Sequence, residues 1–216
     1  MEFRNKNVTE FSSGFSTISL DNLTEGKQPL SMAEVKAICE AARFKNPKFC
    51  LLVLLGVSIG LRIGELVHIT KTDLKNKWFV YRKLKQKDKN KAKHRKQIPP
   101  AFYTLFKELG FNYTMFEEKL FICAHGRHVW KDYTPRKYLK EYCKIIGLEP
   151  ERIKQISTHS LRKCFGQNLF NESGKDFNAL ITVQKALGHA DISYTARYIG
   201  YDSTDLNKSI NRMKLW

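Results

Sequence analysis

Sustained hydrophobic periodicity begins at Ser31. Residues 1–28 are polar and rich in Ser, Thr and Asn, with no helical or strand repeat, and read as an arm or linker. Ser31-Met32-Ala33-Glu34 then has the form of a capping box, followed by Val35, Ile38 and Ala42 on one helical face. A second helix start follows at Asn46-Pro47, and Phe49 to Ile59 is apolar almost all round, the pattern of a helix buried in a core. Gly60 breaks it. From Arg62 to Ile69 a helical pattern resumes, with Ile63, Leu66 and Val67 apolar and Arg62 and Glu65 polar. A charged pair therefore sits directly behind the most apolar segment of the chain.

Trp78-Phe79-Val80-Tyr81 and Gln97-Ile98-Pro99 flank a lysine-rich run like the strands of a hairpin, closed by Pro99-Pro100. Helical patterns then cover Phe102 to Leu109, Thr134 to Ile146 with Pro135 at the first position, Thr158 to Phe170, and Phe177 to Leu187. No internal repeat interrupts them. The predicted fold class is mainly α with a small antiparallel β-sheet (α+β).

Composition sharpens this picture. With 216 residues, 42% of them hydrophobic, the chain carries enough apolar surface for a full core in one domain. Its longest apolar stretch, Phe49 to Ile59, is interrupted by Gly56 and Ser58 and is about half the ~18 residues a membrane span needs. The first residues show no apolar leader core. Five cysteines (Cys39, Cys50, Cys123, Cys143, Cys164) are odd in number and never in a C-x-x-C pair, which argues against a disulfide framework and a zinc ribbon. A cytoplasmic protein is expected.

Charge changes the picture more. The formal net charge is +17, and from Arg82 to Lys96 nine of fifteen residues are Lys or Arg, opposed only by Asp88. Such density repels itself unless a polyanion offsets it, and nucleic acid is the commonest such partner. A solvated lysine-rich hairpin is the plainer alternative.

Four short features could carry chemistry: Gly60-Leu61-Arg62-Ile63-Gly64-Glu65-Leu66, His159-Ser160-Leu161-Arg162, Leu187-Gly188-His189, and Tyr198. Singly each has an ordinary structural reading. Arg62 and Glu65 could be a partly buried ion pair, His189 a residue closing a helix, and Tyr198 a packing residue with a hydrogen-bonded tip. An H-x-x-R places His159 and Arg162 one turn apart on one face, suited to an anion. His68, His94, His125 and His128 have no motif around them and read as surface or core residues.

Taken in order and at these spacings, the four features resemble the catalytic domain of the tyrosine recombinase (phage integrase) family, from about Pro29 to Tyr201. The joint match makes the resemblance specific: arginine in G-L-R-x-x-E-L, H-x-x-R about a hundred residues later, then L-G-H, then tyrosine nine positions beyond its histidine. The resemblance implies that the Tyr198 hydroxyl attacks a DNA phosphodiester, leaving a 3′-phosphotyrosyl bond and a free 5′-hydroxyl, without metal, ATP or other cofactor. Arg62 and Arg162 would match the charge gathering on the nonbridging oxygens. His159 would help deprotonate the nucleophile and hold the phosphate, and His189 would hydrogen-bond the phosphate or position the site. Tyr194 and Tyr201 compete with Tyr198, but only Tyr198 has the family spacing. A lysine of the hairpin would protonate the leaving oxygen; counting eight positions back from Pro99 gives Lys91, with Lys87, Lys89 and Lys93 close enough to substitute.

The implied partners are double-stranded DNA and further copies of the chain, two per site and four in a synapse, with no membrane. The expected layout is an arm or linker (1–28), the catalytic domain (29–201), and a tail (202–216) whose Leu206, Ile210 and Met213 suit docking on a neighbouring subunit. Family members usually carry a separate DNA-clamping domain before the catalytic one and this arm is too short for it, so the chain is expected to be either an excised catalytic fragment or a minimal member, with weak DNA binding in isolation. The rival readings are a type IB topoisomerase and a non-catalytic DNA-binding protein on the same scaffold.

Overall fold

The structure is a computed structural model that describes residues 27–82, 93–126 and 128–200. At its centre is α2 (Pro47–Ile59), whose Phe49, Cys50, Leu51, Leu52, Val53 and Leu55 are fully buried. Asn46 caps it through Phe49 N–H and Pro47 opens it, as the sequence predicts. Around it pack α1 (Met32–Ala42), α5 (Pro100–Glu108) and α8 (Thr158–Glu172). The α2–α8 approach is close because Gly56 faces Leu161, where a Cβ would lie 3.0 Å from Leu161 Cδ1.

The predicted capping box of α1 is present, with Ser31 and Glu34 bonding each other's backbone N–H groups. Glu34 does a second job. Arg152, on α7 (Pro150–Gln155), reaches both its carboxylate oxygens at 2.8 and 2.7 Å and also donates to Pro29 O, tying the entering chain to α1. That bond holds the Glu34 carboxyl below the usual carboxylate range, against the opposing pull of burial.

Gly60 ends α2 in the left-handed conformation (φ +62°), and the Phe165 ring fills the space a side chain would need, 2.1 Å from an added Cβ. Two short helices follow, α3 (Ile63–Leu66) and α4 (Lys71–Asn76). Strands β1 (Trp78–Arg82) and β2 (Lys93–Gln97) pair antiparallel, with Phe79 opposite Lys96 and Tyr81 opposite His94.

The second strand corrects the expectation of Gln97-Ile98-Pro99: it lies within the basic run, and Ile98 and Pro99 follow it. An all-polar strand shows no apolar alternation to read. Opposite pairs share a face, so Lys96 and His94 stand on the side of buried Phe79, while Arg95 stacks on the Trp78 ring at 4.1 Å.

Helix α6 (Tyr133–Ile145) starts one residue before the expected span, so Pro135 is its third residue rather than its first. Helix α5 begins at Pro100, ahead of the predicted Phe102, because two prolines pre-set its entry. Helix α8 continues to Glu172, and α9 (Phe177–Leu187) has the predicted bounds. Helices α4, α7 and α10 (Ile192–Ile199) were not anticipated; each is too short to show a sustained apolar period. Phe170, Ala179, Leu180, Val183, Leu187 and Ile199 form a second buried cluster beneath α8, α9 and α10. Among the described residues no helix is long and apolar enough to cross a membrane.

Candidate active site

Arg162 is the anchor. It stands on α8 and is 5% exposed, donating from Nη1 to Gly60 O at 2.6 Å and from Nη2 to Leu187 O at 2.5 Å. The same left-handed turn that stops α2 thus turns a carbonyl onto the guanidinium. Burial pulls its pKa below the ordinary guanidinium value, and the neighbouring Arg62 adds to that.

Arg62 is the N-cap of α3. Glu65, almost fully buried, accepts its backbone N–H at 3.0 Å and faces its guanidinium across 3.7 Å. Glu65 therefore orients Arg62 in a mostly desolvated setting, where an unpaired carboxylate would be costly. The Arg62 side chain remains about one-third exposed.

His189 follows Gly188, the left-handed residue that closes α9. Its Nδ1 lies 3.1 Å from Thr195 Oγ1, and Thr195, fully buried, donates to Asp191 O. A hydroxyl that donates to a carbonyl accepts from the imidazole, which assigns the proton to Nδ1 and leaves the Nε2 lone pair available. Burial, with repulsion from Arg162 and Arg62, lowers the His189 pKa to about 4, so the ring is neutral at physiological pH. Thr195 escaped the sequence reading; its signal was only its place three residues before Tyr198.

Tyr198 lies on α10, its ring edge-on to His189 at 5.0 Å, near Tyr194 at 6.0 Å, with Lys163 Nζ 5.3 Å above its face. Its hydroxyl is sealed from solvent without a well-formed hydrogen bond. Burial raises its pKa to about 12, against the opposing pull of the adjacent Arg162 and of Arg62. Tyr194, the competing tyrosine, is 53% exposed and packs edge-on to His189 at 4.8 Å.

His159 is exposed on the first turn of α8, between buried Thr158 and Ser160 and one turn ahead of Arg162. Lys91, with Lys87, Lys89 and Tyr201, lies outside the described residues. The hairpin does supply an unforeseen lysine, Lys96, whose ammonium donates to Ala186 O at 2.6 Å. A cleft of about 630 Å³ opens beside it, lined by Tyr81, His94, Phe165, Lys185 and Gly188. His68, His125 and His128 are exposed; His94 is half-buried with Nε2 sealed off. Among the described residues no cluster of His, Cys, Asp and Glu could hold a metal ion.

The structure thus gathers Arg62, Arg162 and His189 around one buried phenol. Residues 28–204 match the profile of the phage integrase family. The chain belongs to that family. One member, "Probable integrase/recombinase YoeC" of Bacillus subtilis (strain 168), is 28% identical over 177 residues, which are 81% of this chain and 90% of YoeC. Another, "Tyrosine recombinase XerD" of Halalkalibacterium halodurans, is 28% identical over 181 residues, 78% of this chain and 56% of XerD, so the chain spans about half of that longer relative. Among solved structures, the XerH site-specific recombinase in a post-cleavage complex with its difH substrate superposes with a TM-score of 0.56 at 23% identity, covering 86% of this chain and 53% of XerH. That likeness establishes the shared fold of an integrase-family domain.

Proposed function

We propose that this chain is a site-specific DNA strand transferase, with Tyr198 as nucleophile and Arg62 and Arg162 as the phosphate clamp, acting in integration or excision of a phage or mobile element. The observation that carries the reading is a tyrosine whose sealed hydroxyl feels the Arg162 and Arg62 guanidiniums and whose ring packs edge-on to His189 at 5.0 Å. Attack by that hydroxyl forms a phosphorus–oxygen bond to Tyr198 and breaks the bond to the 5′-oxygen. The reverse attack by a strand's 5′-hydroxyl reseals the DNA, so bond energy is conserved.

The charges fit the direction of the reaction. A phenol at about 12 is a weak nucleophile at neutral pH and needs a base. His189 at about 4 stays neutral, able to accept a hydrogen bond through Nε2, and the exposed His159 of α8 serves the incoming phosphate and the proton. As negative charge grows on the phosphate, Arg162 meets it already desolvated and fixed in place, so little reorganisation is needed. Lys91 remains the proposed proton donor to the 5′-oxygen. Double-stranded DNA is the proposed substrate, bound by two copies per site and four per synapse, with residues 202–216 docking on a neighbouring copy.

The test is a nicked suicide duplex, selected from a randomised pool by covalent retention on the wild-type protein. A denaturant-resistant protein–DNA adduct is expected, lost in Tyr198→Phe and kept in Tyr194→Phe and Tyr201→Phe. An adduct that survives Tyr198→Phe assigns the nucleophile elsewhere. For the lysine, DNA with a 5′-bridging sulfur, whose thiolate leaves without a proton, rescues Lys91→Ala if Lys91 is the donor.

A further inference from the structure

Lys96 is a partly buried cation beside the site with no role so far. It faces inward from β2 opposite Phe79, with Nζ 2.6 Å from Ala186 O and 4.9 Å above the Phe165 ring. The next carbonyl along α9, Leu187 O, takes Arg162. A helix C-terminus leaves its last four carbonyls without partners inside the helix. Here Gln184 O and Lys185 O are served by the backbone N–H groups of His189 and Gly188, and the remaining two by Lys96 and Arg162. Two cations thus share the negative end of α9, and His189 begins two residues later.

We propose that Lys96 is a positioning residue for strand cleavage, pinning the end of α9 to the hairpin and so fixing where Arg162 holds the scissile phosphate and where His189 faces Tyr198. This rests on the recombinase reading above. Without Lys96 the Ala186 carbonyl loses its partner, the last turn of α9 is free to shift, and Leu187 O shifts with it. Arg162 and His189 both take their placement from that turn, so a single displacement misaligns two groups at once. Because both contacts lie on the protein side of the site, the loss falls on the chemical step more than on DNA affinity, which the exposed basic surface supplies.

The ammonium itself is held near the working range. Burial, reinforced by Arg162 on α8, brings its pKa to about 8, with Glu65 on α3 pulling the other way; Tyr81 and His94 on the hairpin and Lys185 on α9 line the same cleft. The pin therefore weakens as pH rises through about 8.

The experiment measures single-turnover adduct formation and duplex affinity for wild type, Lys96→Met, Lys96→Gln and Lys96→Arg, on the selected suicide duplex and on its 5′-bridging sulfur analogue. Lys96→Met is expected to cleave about 10–100-fold more slowly, with affinity changed less than about threefold. Lys96→Arg recovers most of the rate and no longer declines above about pH 8, since guanidinium stays charged. The sulfur analogue does not restore Lys96→Met. If Lys96→Met does not fold, Lys96→Gln is read in the same way. A wild-type rate in the neutral variants, equal losses of rate and affinity, or an arginine variant as slow as Lys96→Met each overturn the proposal. Full rescue by the bridging sulfur overturns it too, making Lys96 the proton donor. Absence of any adduct with the wild-type protein overturns the recombinase reading itself, and this proposal with it.

Discussion

Arg162 and the Tyr198 hydroxyl lie side by side and both are buried, yet one is fastened to two carbonyls and the other has no well-formed hydrogen bond. Arg162 is held by two backbone carbonyls on a long helix packed against the most apolar helix of the protein. The Tyr198 hydroxyl has no well-formed partner and rides on α10, an eight-residue helix resting on the smaller of the two buried clusters. The proposed phosphate clamp is thus held in place by the protein itself, while burial keeps the proposed nucleophile neutral. Helix α10 buries only Thr195 and Ile199, whereas α8 buries a longer face, so of these two halves of the site α10 opens at the lower cost.

The largest test of this contrast is Tyr198→Phe, which removes covalent adduct by about 10⁴-fold or more while leaving the thermal midpoint unchanged or raised, because an unsatisfied buried hydroxyl is deleted. Arg162→Ala is next. It lowers the cleavage rate about 10²–10³-fold and, unlike the tyrosine change, also lowers unfolding stability by about 2–3 kcal/mol through the two carbonyls it strands. Arg162→Lys regains part of the stability in urea titrations but little of the rate, since one ammonium cannot fork to Gly60 O and Leu187 O together.

A change outside both halves separates stability from chemistry. Arg152→Met is expected to cost about 1.5–3 kcal/mol in urea unfolding at pH 7 with single-turnover cleavage unaltered. Because Arg152 depresses the Glu34 pKa, the wild-type advantage is present above the unfolded carboxylate value near 4.5 and fades as pH falls through the folded value.

The last test concerns the pH dependence set by His189. Its folded pKa near 4 lies below the ordinary 6.5, so its share of stability is full above 6.5 and is lost as pH falls towards 4. Urea midpoints of the wild type should drop across that window, and those of His189→Asn should drop less.

Legibility along the chain followed the physics of each element. Helix α9 was readable to its ends because an Asp176 cap, an amphipathic period and a Gly188 stop all sit within one local stretch. Strand β2 was misplaced because Lys93 to Gln97 carries no apolar alternation, its pairing being set by β1 from outside. The proposed site residues Arg62, His159, Arg162, His189 and Tyr198 stand out by motif spacing alone, whereas Lys96 and Thr195 stand in no pattern.

The sequence by itself determined the fold class, the order of the main helices and the residue types able to grip a phosphate, because caps, periods and short motifs are encoded within a few neighbouring residues. Only the tertiary structure decided which partner each of those groups finds. Arg162 meets carbonyls 102 and 25 positions away, Lys96 one 90 positions away, and Tyr198 is desolvated by neighbours from several helices. Burial and field depend on what packs from afar, and they shift the ionisation of Lys96, Arg162, His189 and Tyr198.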